Sequence, residues 1–552
     1  MKQAKKILIM LGGKYHPFEE FGQLFSRVLA EKGGYDVTAT FDREAFCKLA
    51  GFDAVIIYTQ GGELTDAQEK GLLSFVSGGG GLVGVHGATA SFRNNRGYLE
   101  MLGTEFVGHG PGCEISVENA EGYEEITPRL AKSWTQFNEL YMLEKRTDAE
   151  LRPLQYSWWH FQRQLLGYVR TYGKGRVLYT GLGHGVNVMK HPEFQDLIFK
   201  AVRYVTGVTE TPLRWGLVGY GPACNMGAHH GESIAGTFGM ELRAVCDKDP
   251  ARIEIAKQNY GKDLQYFTDV KDLIAGGCCD GVTTIVPHNV HAEVALPLLE
   301  AGLHVISEKP FAITPEECDR MIAAARASGV ALSVYHNRHW DEDIWSIRNL
   351  VEEGLIGEVF SIEHNMCNYS RPDQSWRSHK PVSGGILYDM GAHGFEKMLQ
   401  LVPRYDGDGK PINRKALLFG NFMKKVWWDT TNEDFARAYV KFDTGLEMML
   451  TQSDISTAPK PSFVVSGTAG SIQTCPEDIE IKQVRGGQIR TIRAPYAKGL
   501  SWQSYYRNFA DHVLAGVPLI ITPELAKATI QCIYGCEVAA RENRLVEVEF
   551  DF

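Results

Sequence analysis

Asp389 and His393 stand four residues apart in "SGGILYDMGAHGFE" (383–396), behind three small residues. On a helix that spacing puts both side chains on one face. A carboxylate beside an imidazole can hold a hydroxyl and take its proton; an ordinary polar turn of a buried helix has the same composition. Lys309 adds a cation, because "HVISEKPFAIT" reads as a strand ending in Glu308-Lys309-Pro310. A lysine at a strand's carboxyl end lies at the rim where open parallel sheets bind ligands. Pro310 fixes the turn that follows, a cis bond being one way to do so. Taken singly, Lys309 reads as a surface lysine before a turn.

A cofactor would give these groups something to act with. In "WGLVGYGPACNMGAHH", Gly219, Gly221 and Gly227 follow a strand and lead into a helix. Such a turn lets the backbone approach a pyrophosphate, whose charge meets the N–H groups at the helix start. The spacing departs from GxGxxG by three extra residues before the last glycine. Asp247 ends the next strand-like run, "LRAVCD", twenty residues after Gly227, where an acid accepts hydrogen bonds from the adenosine ribose hydroxyls. A carboxylate there repels a 2′-phosphate, so NAD is expected rather than NADP, with Lys248 working in the opposite sense.

The elements that must position these residues exceed one core. The chain has 552 residues, 44% hydrophobic and 22% charged, which argues for several ordinary globular domains. A net charge of -10 gives no basic face for nucleic acid or an anionic membrane. Eleven cysteines without a CxxC pair read as reduced thiols. The opening apolar run is too short for a signal-peptide core, and no apolar stretch reaches the length of a membrane span, so a soluble cytoplasmic protein is expected. The first two hundred residues alternate strand and helix patterns, from "KKILIML" to "HPEFQDLIFKAVRYVTG", as in a doubly wound α/β domain. A polar connector containing Pro212 precedes a second α/β series opening at "RWGLVGYG". Beyond about residue 340, β-rich segments predict a mainly antiparallel sheet with one face covered. The expected domains are 1–208, 212–340 and 341–552.

Residues 212–552 resemble the Gfo/Idh/MocA family of NAD(P)-dependent sugar and cyclitol oxidoreductases. The likeness is carried by the glycine turn with His230 after it, "PHNVHAEVALPLLEAGLHVISEKP", "GLIGEV", "GGILYDMGAH", "SGTAGS" and "GVPLIITPE". It implies a Rossmann domain followed by an open-sheet α/β domain, with the substrate between them and homo-oligomers (dimers or tetramers) formed through the sheet. It also implies that Lys309, Asp389 and His393 are catalytic. In that scheme His393 takes the hydroxyl proton while hydride leaves for the nicotinamide, Lys309 stabilises alkoxide charge, and Asp389 holds substrate hydroxyls or the lysine. Pro287, Asn289, His291 and Glu308 join the glycines and Asp247 as implied cofactor residues. Ser383 stands where the family usually has a third glycine. Asn337, Arg338, Trp376 and Arg377 are candidates for reading the substrate's other hydroxyls, although ordinary packing accounts for each equally well.

Residues 1 to about 208 resemble a ThuA-type (trehalose-utilisation) domain, a relative of the class I glutamine amidotransferases with a flavodoxin-like fold. The matching stretches are "GGKYHPFEEF", "GGGLVGVHGATASF", "LGTEFVGHGPG", "NELYML" and "YGKGRVLYTGLGH". In the amidotransferases the elbow after such a strand carries a cysteine nucleophile; "GVHGA" puts His86 there, leaving thiol acyl transfer unsupported. His16, His86, His109 and His184, with Glu139, could converge on Zn²⁺ or another divalent ion. Hydrogen-bonded histidines lining a sugar pocket are the alternative. The function expected of the whole chain is NAD-dependent hydride transfer at a ring carbinol of a sugar, glycoside or cyclitol, C3 favoured, with the front domain binding or processing the ketosugar. Two alternatives stand beside it: an NAD-recycling glycosidase or lyase working by transient C3 oxidation and elimination, and a non-catalytic sugar- and NAD-binding protein.

Overall fold

Buried strands with apolar residues on both faces form the front of the chain. The computed structural model describes residues 4–120, 126, 133–159, 162–207, 212–221, 225–237, 239–403, 414–458, 460–497 and 502–551; most of the polar connector, the turn around Cys224 and the expected boundary at 208 lie outside them. Strands β1 (Lys6–Gly12), β2 (Asp36–Thr40), β3 (Ala54–Thr59), β4 (Gly81–Val85) and β5 (Gly175–Thr180) run parallel in the order β2-β1-β3-β4-β5. That order is flavodoxin-like. Alternate residues of β1 enter two cores. Ile7 and Ile9 pack with Phe21, Phe25 and Leu197 from the helices Phe18–Gly33 and Pro192–Val205, while Leu8 and Met10 pack with Leu72 and Val76 from Asp66–Ser77. Thr65 and Gln68 close a capping box at the start of that last helix, satisfying backbone donors that the helix leaves open.

The sequence pattern did not disclose how the sheet continues. Four antiparallel strands, Gln162–Tyr172, Arg152–Trp159, Cys113–Asn119 and Ser133–Asn138, extend it to nine. At the end of β4 the chain turns sharply into His86–Ala90, and His86 takes a left-handed φ of 43°. For a residue with a Cβ that conformation is uncommon.

The chain divides into two compact units. One comprises Met1–Thr211, Thr237–Gly239 and Ala510–Pro518; the other takes Pro212–Gly236, Met240–Phe509 and Leu519–Phe552. The second unit starts with six parallel strands: β6 (Leu213–Val218), β7 (Met240–Cys246), β8 (Gln265–Phe267), β9 (Gly281–Thr284), β10 (His304–Ser307) and β11 (Leu332–Val334). Their order is β8-β7-β6-β9-β10-β11. This is the 3-2-1-4-5-6 order of a dinucleotide-binding fold, whose ligand crevice opens where the strand order reverses, between β6 and β9.

The same unit continues into a nine-stranded sheet in which every pairing is antiparallel except that of Val359–Cys367 with Glu447–Ser453. Helix Pro523–Glu542 covers one face. On Lys415–Met423, Leu418 is buried beneath it, and Gly420 comes so close that a Cβ there would meet the Cys536 carbonyl at 2.3 Å. Leu417 and Phe419 on the other face remain exposed. The ten described cysteines are free thiols, and among the described residues no helix is long and apolar enough to cross a membrane.

Ile306, fully buried in β10 beside the Glu308–Lys309 turn, tests how far the strand's packing holds that turn. Ile306→Ala is expected to destabilise the unit by about 2–5 kcal/mol, read as a lower denaturation midpoint in guanidinium.

Candidate active site

The cofactor crevice is built from strand ends. A cavity of about 770 Å³ opens at the carboxyl ends of β6, β7, β9 and β10 and is lined by Gly219, Gly221, Asp247, Pro287, Glu308, Lys309, Trp376 and Arg377, among others. Gly219 has φ 101°, and a Cβ on it would stand 2.0 Å from the Ile285 carbonyl oxygen. Only glycine fits where the turn must pass this close to β9's continuation. Asp247 accepts hydrogen bonds from the backbone N–H groups of Tyr220 (2.6 Å) and Asp249 (2.9 Å), so its carboxylate is fixed at the cavity wall. The volume, the close backbone and the anchored acid fit a dinucleotide. Gly227 lies under the Tyr220 ring, where a Cβ would meet ring atoms at 2.6 Å; its role is close packing of the helix, not lining.

Two implied cofactor residues sit elsewhere. His291 is fully buried with both ring nitrogens facing carbonyls, Nδ1 at 2.7 Å from Pro310 O and Nε2 at 2.9 Å from Val286 O. It braces the turn behind the cis Lys309–Pro310 bond and leaves no nitrogen for a cofactor. Asn289 is exposed in the short turn His288–Val290 and does not line the cavity.

Asp389 joins two cations at the cavity edge. Its Oδ1 accepts from Lys309 Nζ at 2.5 Å and from Arg377 Nη1 at 2.6 Å, and its backbone carbonyl takes a second Lys309 hydrogen bond at 3.0 Å. Burial pushes the carboxyl up, but Lys309 and Arg377 together hold it well below the usual carboxylate range. An ammonium has three donors; two are spent on Asp389, which leaves one for a ligand oxygen. Asp389 lies in a π-helical turn, Leu387–Gly391, that runs into the helix Ala392–Leu399 carrying His393. The stretch is helical as the spacing required, with a widened turn at the acid. Such turns recur at functional sites.

His393 is buried, and its Nδ1 has no hydrogen-bond partner among the described residues. Burial first, then the Lys309 charge, holds it well below the ordinary histidine value, so it is neutral and keeps a lone pair. His336 faces it at 6.1 Å between ring centroids, fully buried, with neither ring nitrogen partnered among the described residues and a pKa lowered to about 4 by burial. Of the four substrate candidates, Trp376 and Arg377 line the cavity, the guanidinium lying 5.2 Å from the indole centre. Arg338 reaches toward Asp341 (3.6 Å) and lies over Trp502, although its charge still acts on His393. Asn337 is buried beside the Tyr335 hydroxyl.

A separate cluster occupies the front unit. His16, His86 and His184 place one ligand atom each within 4.8 Å of one another. Glu139 Oε2 lies 3.1 Å from His184 Nδ1 and 4.0 Å from His86 Nε2. His109 falls outside the triad: its Nδ1 hydrogen-bonds the neighbouring Gly110 carbonyl at 2.6 Å and stands 3.8 Å from Glu139 Oε1. Burial lowers His16 to about 4 and holds His86 well below the ordinary histidine value.

Comparison with known families resolves the two halves. Residues 6–205 match the family "Trehalose utilisation" (ThuA), residues 213–336 the "Oxidoreductase family, NAD-binding Rossmann fold" of Gfo/Idh/MocA proteins, and residues 344–473 the "GFO/IDH/MocA C-terminal domain". The chain is a ThuA domain followed by a Gfo/Idh/MocA oxidoreductase. It is similar to the scyllo-inositol 2-dehydrogenase (NADP(+)) IolW of Bacillus subtilis, 26% identical over 54% of this chain and 87% of that protein. It is likewise similar to a glycosyl hydrolase family 109 protein of Shewanella pealeana, 26% identical over 55% and 70%. Among solved structures, an NAD-binding protein from Listeria innocua superposes with a TM-score of 0.53 at 25% identity, covering 61% of this chain and 97% of that one.

The oxidoreductase half also contains a buried network that spacing did not expose. His230 binds Tyr506 OH (2.7 Å) and Glu308 Oε1 (2.8 Å); Tyr506 meets Thr283 Oγ1 at 3.0 Å, and Thr283 takes a hydrogen bond from Trp215 Nε1 at 2.9 Å. Glu308 also accepts from the Lys309 backbone N–H at 2.9 Å. Burial alone would raise Glu308, yet His230 and Lys309 bring it down to about 2. The strand end that projects Lys309 is therefore clamped from below. His288 was also missed, although it stands beside Pro287: it is buried, bonds the Ser383 carbonyl at 2.8 Å and packs edge-on to Trp376.

Gly219→Ala is expected to weaken NADH binding about a hundredfold or more, roughly 3 kcal/mol, because the added methyl must displace the Ile285 carbonyl. Quenching of tryptophan fluorescence by NADH measures it.

Proposed function

We propose that the oxidoreductase half transfers hydride between a ring carbinol of a sugar, glycoside or cyclitol, with C3 favoured, and NAD in preference to NADP. The observation that carries this is the Lys309–Asp389–Arg377 cluster at the mouth of the Asp247 crevice, with neutral His393 under the same Lys309 charge. NAD bound in that crevice supplies the hydride acceptor. Lys309 donates its remaining hydrogen bond to the substrate oxygen and stabilises the charge that develops there. His393 takes the hydroxyl proton on a ring nitrogen. Asp389 holds the ammonium in place, and Trp376 and Arg377 orient the rest of the sugar, with Asn337 and Arg338 farther out. Anchored Asp247 supports NAD because its charge opposes a 2′-phosphate. We assign domains 1–208, 212–340 and 341–552, a cytoplasmic location and a homo-oligomer built on the open sheet. The ThuA domain binds or processes the ketosugar, and its histidine cluster holds a divalent ion such as zinc.

A second reading, NAD-recycling glycoside cleavage through transient oxidation and elimination, draws on the family 109 relative. The two part on one measurement: stoichiometric NADH formation from sugars supports the dehydrogenase, and release of the aglycone from aryl glycosides without net NADH supports the other.

Lys309→Ala is expected to lower kcat by roughly 10²–10⁴-fold with NADH affinity unchanged; a variant retaining full hydride transfer overturns the assignment. The acid limb of kcat/KM should lie below pH 6.5, since a histidine whose pKa is depressed loses its lone pair only at lower pH. Arg338→Gln removes one positive charge acting on His393 and should move that limb upward, as a pH-rate profile will show.

A further inference from the structure

We infer that His16, His86 and His184 bind a divalent transition-metal ion in the ThuA domain through three imidazole nitrogens, leaving a coordination position open to the neighbouring carbonyl and hydroxyl oxygens of a ketosugar. This rests on the proposal that the cluster holds a divalent ion and the domain a ketosugar, and adds which three side chains bind the ion and that the sugar's carbonyl and hydroxyl oxygens meet it at the open position. All three histidines lie just past the carboxyl ends of parallel strands of one sheet: His16 after β1, His86 at the end of β4 and His184 after β5. Ligands of such sheets bind at that rim.

The ring orientations are set by the shell behind them. His86 Nδ1 is 2.7 Å from the Gly181 carbonyl, which only a protonated Nδ1 can engage. Nε2 therefore carries the lone pair, and it is fully buried without a hydrogen-bond partner among the described residues. The loop bearing His184 is held by Asn138, whose Oδ1 accepts from the Gly183 and His184 N–H groups at 3.3 and 3.1 Å and whose Nδ2 donates to Gly181 O at 3.1 Å. Tyr58 donates to Gly183 O at 2.7 Å. Hydrogen bonds of this kind behind a ligand fix its tautomer and raise metal affinity. Nitrogens about 2.0–2.1 Å from a tetrahedral zinc stand roughly 3.4 Å apart, so separations within 4.8 Å need only a small inward movement.

Three histidines with a vacant position are the ligand pattern of metal sites that act on substrates, whereas four protein ligands close a structural site. Glu139 borders the triad on the His184 side, and His184 keeps 31% of its side chain exposed, so the cluster can be reached from solvent. An ion there acts as a Lewis acid toward a carbonyl oxygen, and a carbonyl beside a hydroxyl is the group that oxidation of one ring carbinol creates.

The test uses the full chain stripped with a chelator and titrated with Co²⁺. The wild type should bind one ion per chain with the intense visible band of a low-coordinate site, and His109→Asn should behave alike. His86→Asn and His184→Asn should lose the band; the half-exposed His184 variant, checked by its thermal melt, keeps the test valid if the buried substitution unfolds. Glu139→Gln should weaken cobalt binding about 10–100-fold and keep the band. Hydroxyacetone, a minimal α-hydroxyketone, should shift the band, and 1-propanol should not. Absence of stoichiometric cobalt, or retention of the band in His184→Asn, overturns the metal site. A band unmoved by hydroxyacetone overturns the ligand class alone. NADH formation is read separately, so failure of the oxidoreductase assignment cannot be confused with either.

Discussion

A carboxylate shared by an ammonium and a guanidinium organises the oxidoreductase half. Asp389 keeps its charge although it is largely removed from water, and that is possible only because Lys309 and Arg377 both bond the same oxygen. The end of β10 is thereby tied to two later segments that are close to each other in sequence, the Trp376–Ser378 turn and the π-helical turn before His393. Removing either cation leaves the carboxylate under-compensated, which explains why the strand end beneath Lys309 is itself clamped. Glu308 bonds His230 and the Lys309 backbone, and His230 is held in turn by Tyr506. The charged groups at the crevice are thus set by buried polar bonds as much as by sheet geometry, and a network of this kind is effective because each member is satisfied.

The histidines divide into two populations by what their nitrogens meet. His291 and His364 are structural: His291 faces two carbonyls, and His364 bonds Ser462 O at 2.9 Å while stacking on Phe463. His86, His336 and His393 are as deeply buried and keep nitrogens with no partner among the described residues. Because an unsatisfied buried polar atom is costly, the open lone pairs of His86 and His393 are where the ligands proposed above would bind. That distinction separates the proposed binding histidines from the packing ones, which burial alone does not.

Periodicity made the parallel strands and their helices legible, because β1, β3 and β4 are covered on both faces and read as continuous apolar runs. Strands Cys113–Asn119 and Ser133–Asn138 alternate more and less buried residues with many polar side chains, and Gln162–Tyr172 opens on polar residues before its buried run, weak patterns that did not announce a continuation of the same sheet. Within the site, Gly219, Asp247 and Lys309 could be placed because each terminates an element whose direction is known. His291 and Asn289 could not, since a motif preserves the order of residues but not the direction of a side chain. The His230–Tyr506 bond spans 276 residues, and local spacing holds no trace of such a contact. The expected cluster of four front histidines became three because the strand Thr104–His109 turns its last ring toward its own following carbonyl.

The left-handed backbone at His86 has a consequence for what the front domain can do. A sharp elbow thrusts its apical side chain into the space above the sheet whatever that side chain is, so exchanging one residue replaces the reagent while the scaffold stays intact. With imidazole at the apex and a main-chain oxygen occupying its inner nitrogen, the position offers an electron pair in place of a displaceable thiol. No thioester can form there, and reagents that depend on a thiol at such an elbow would find no sulfur to capture.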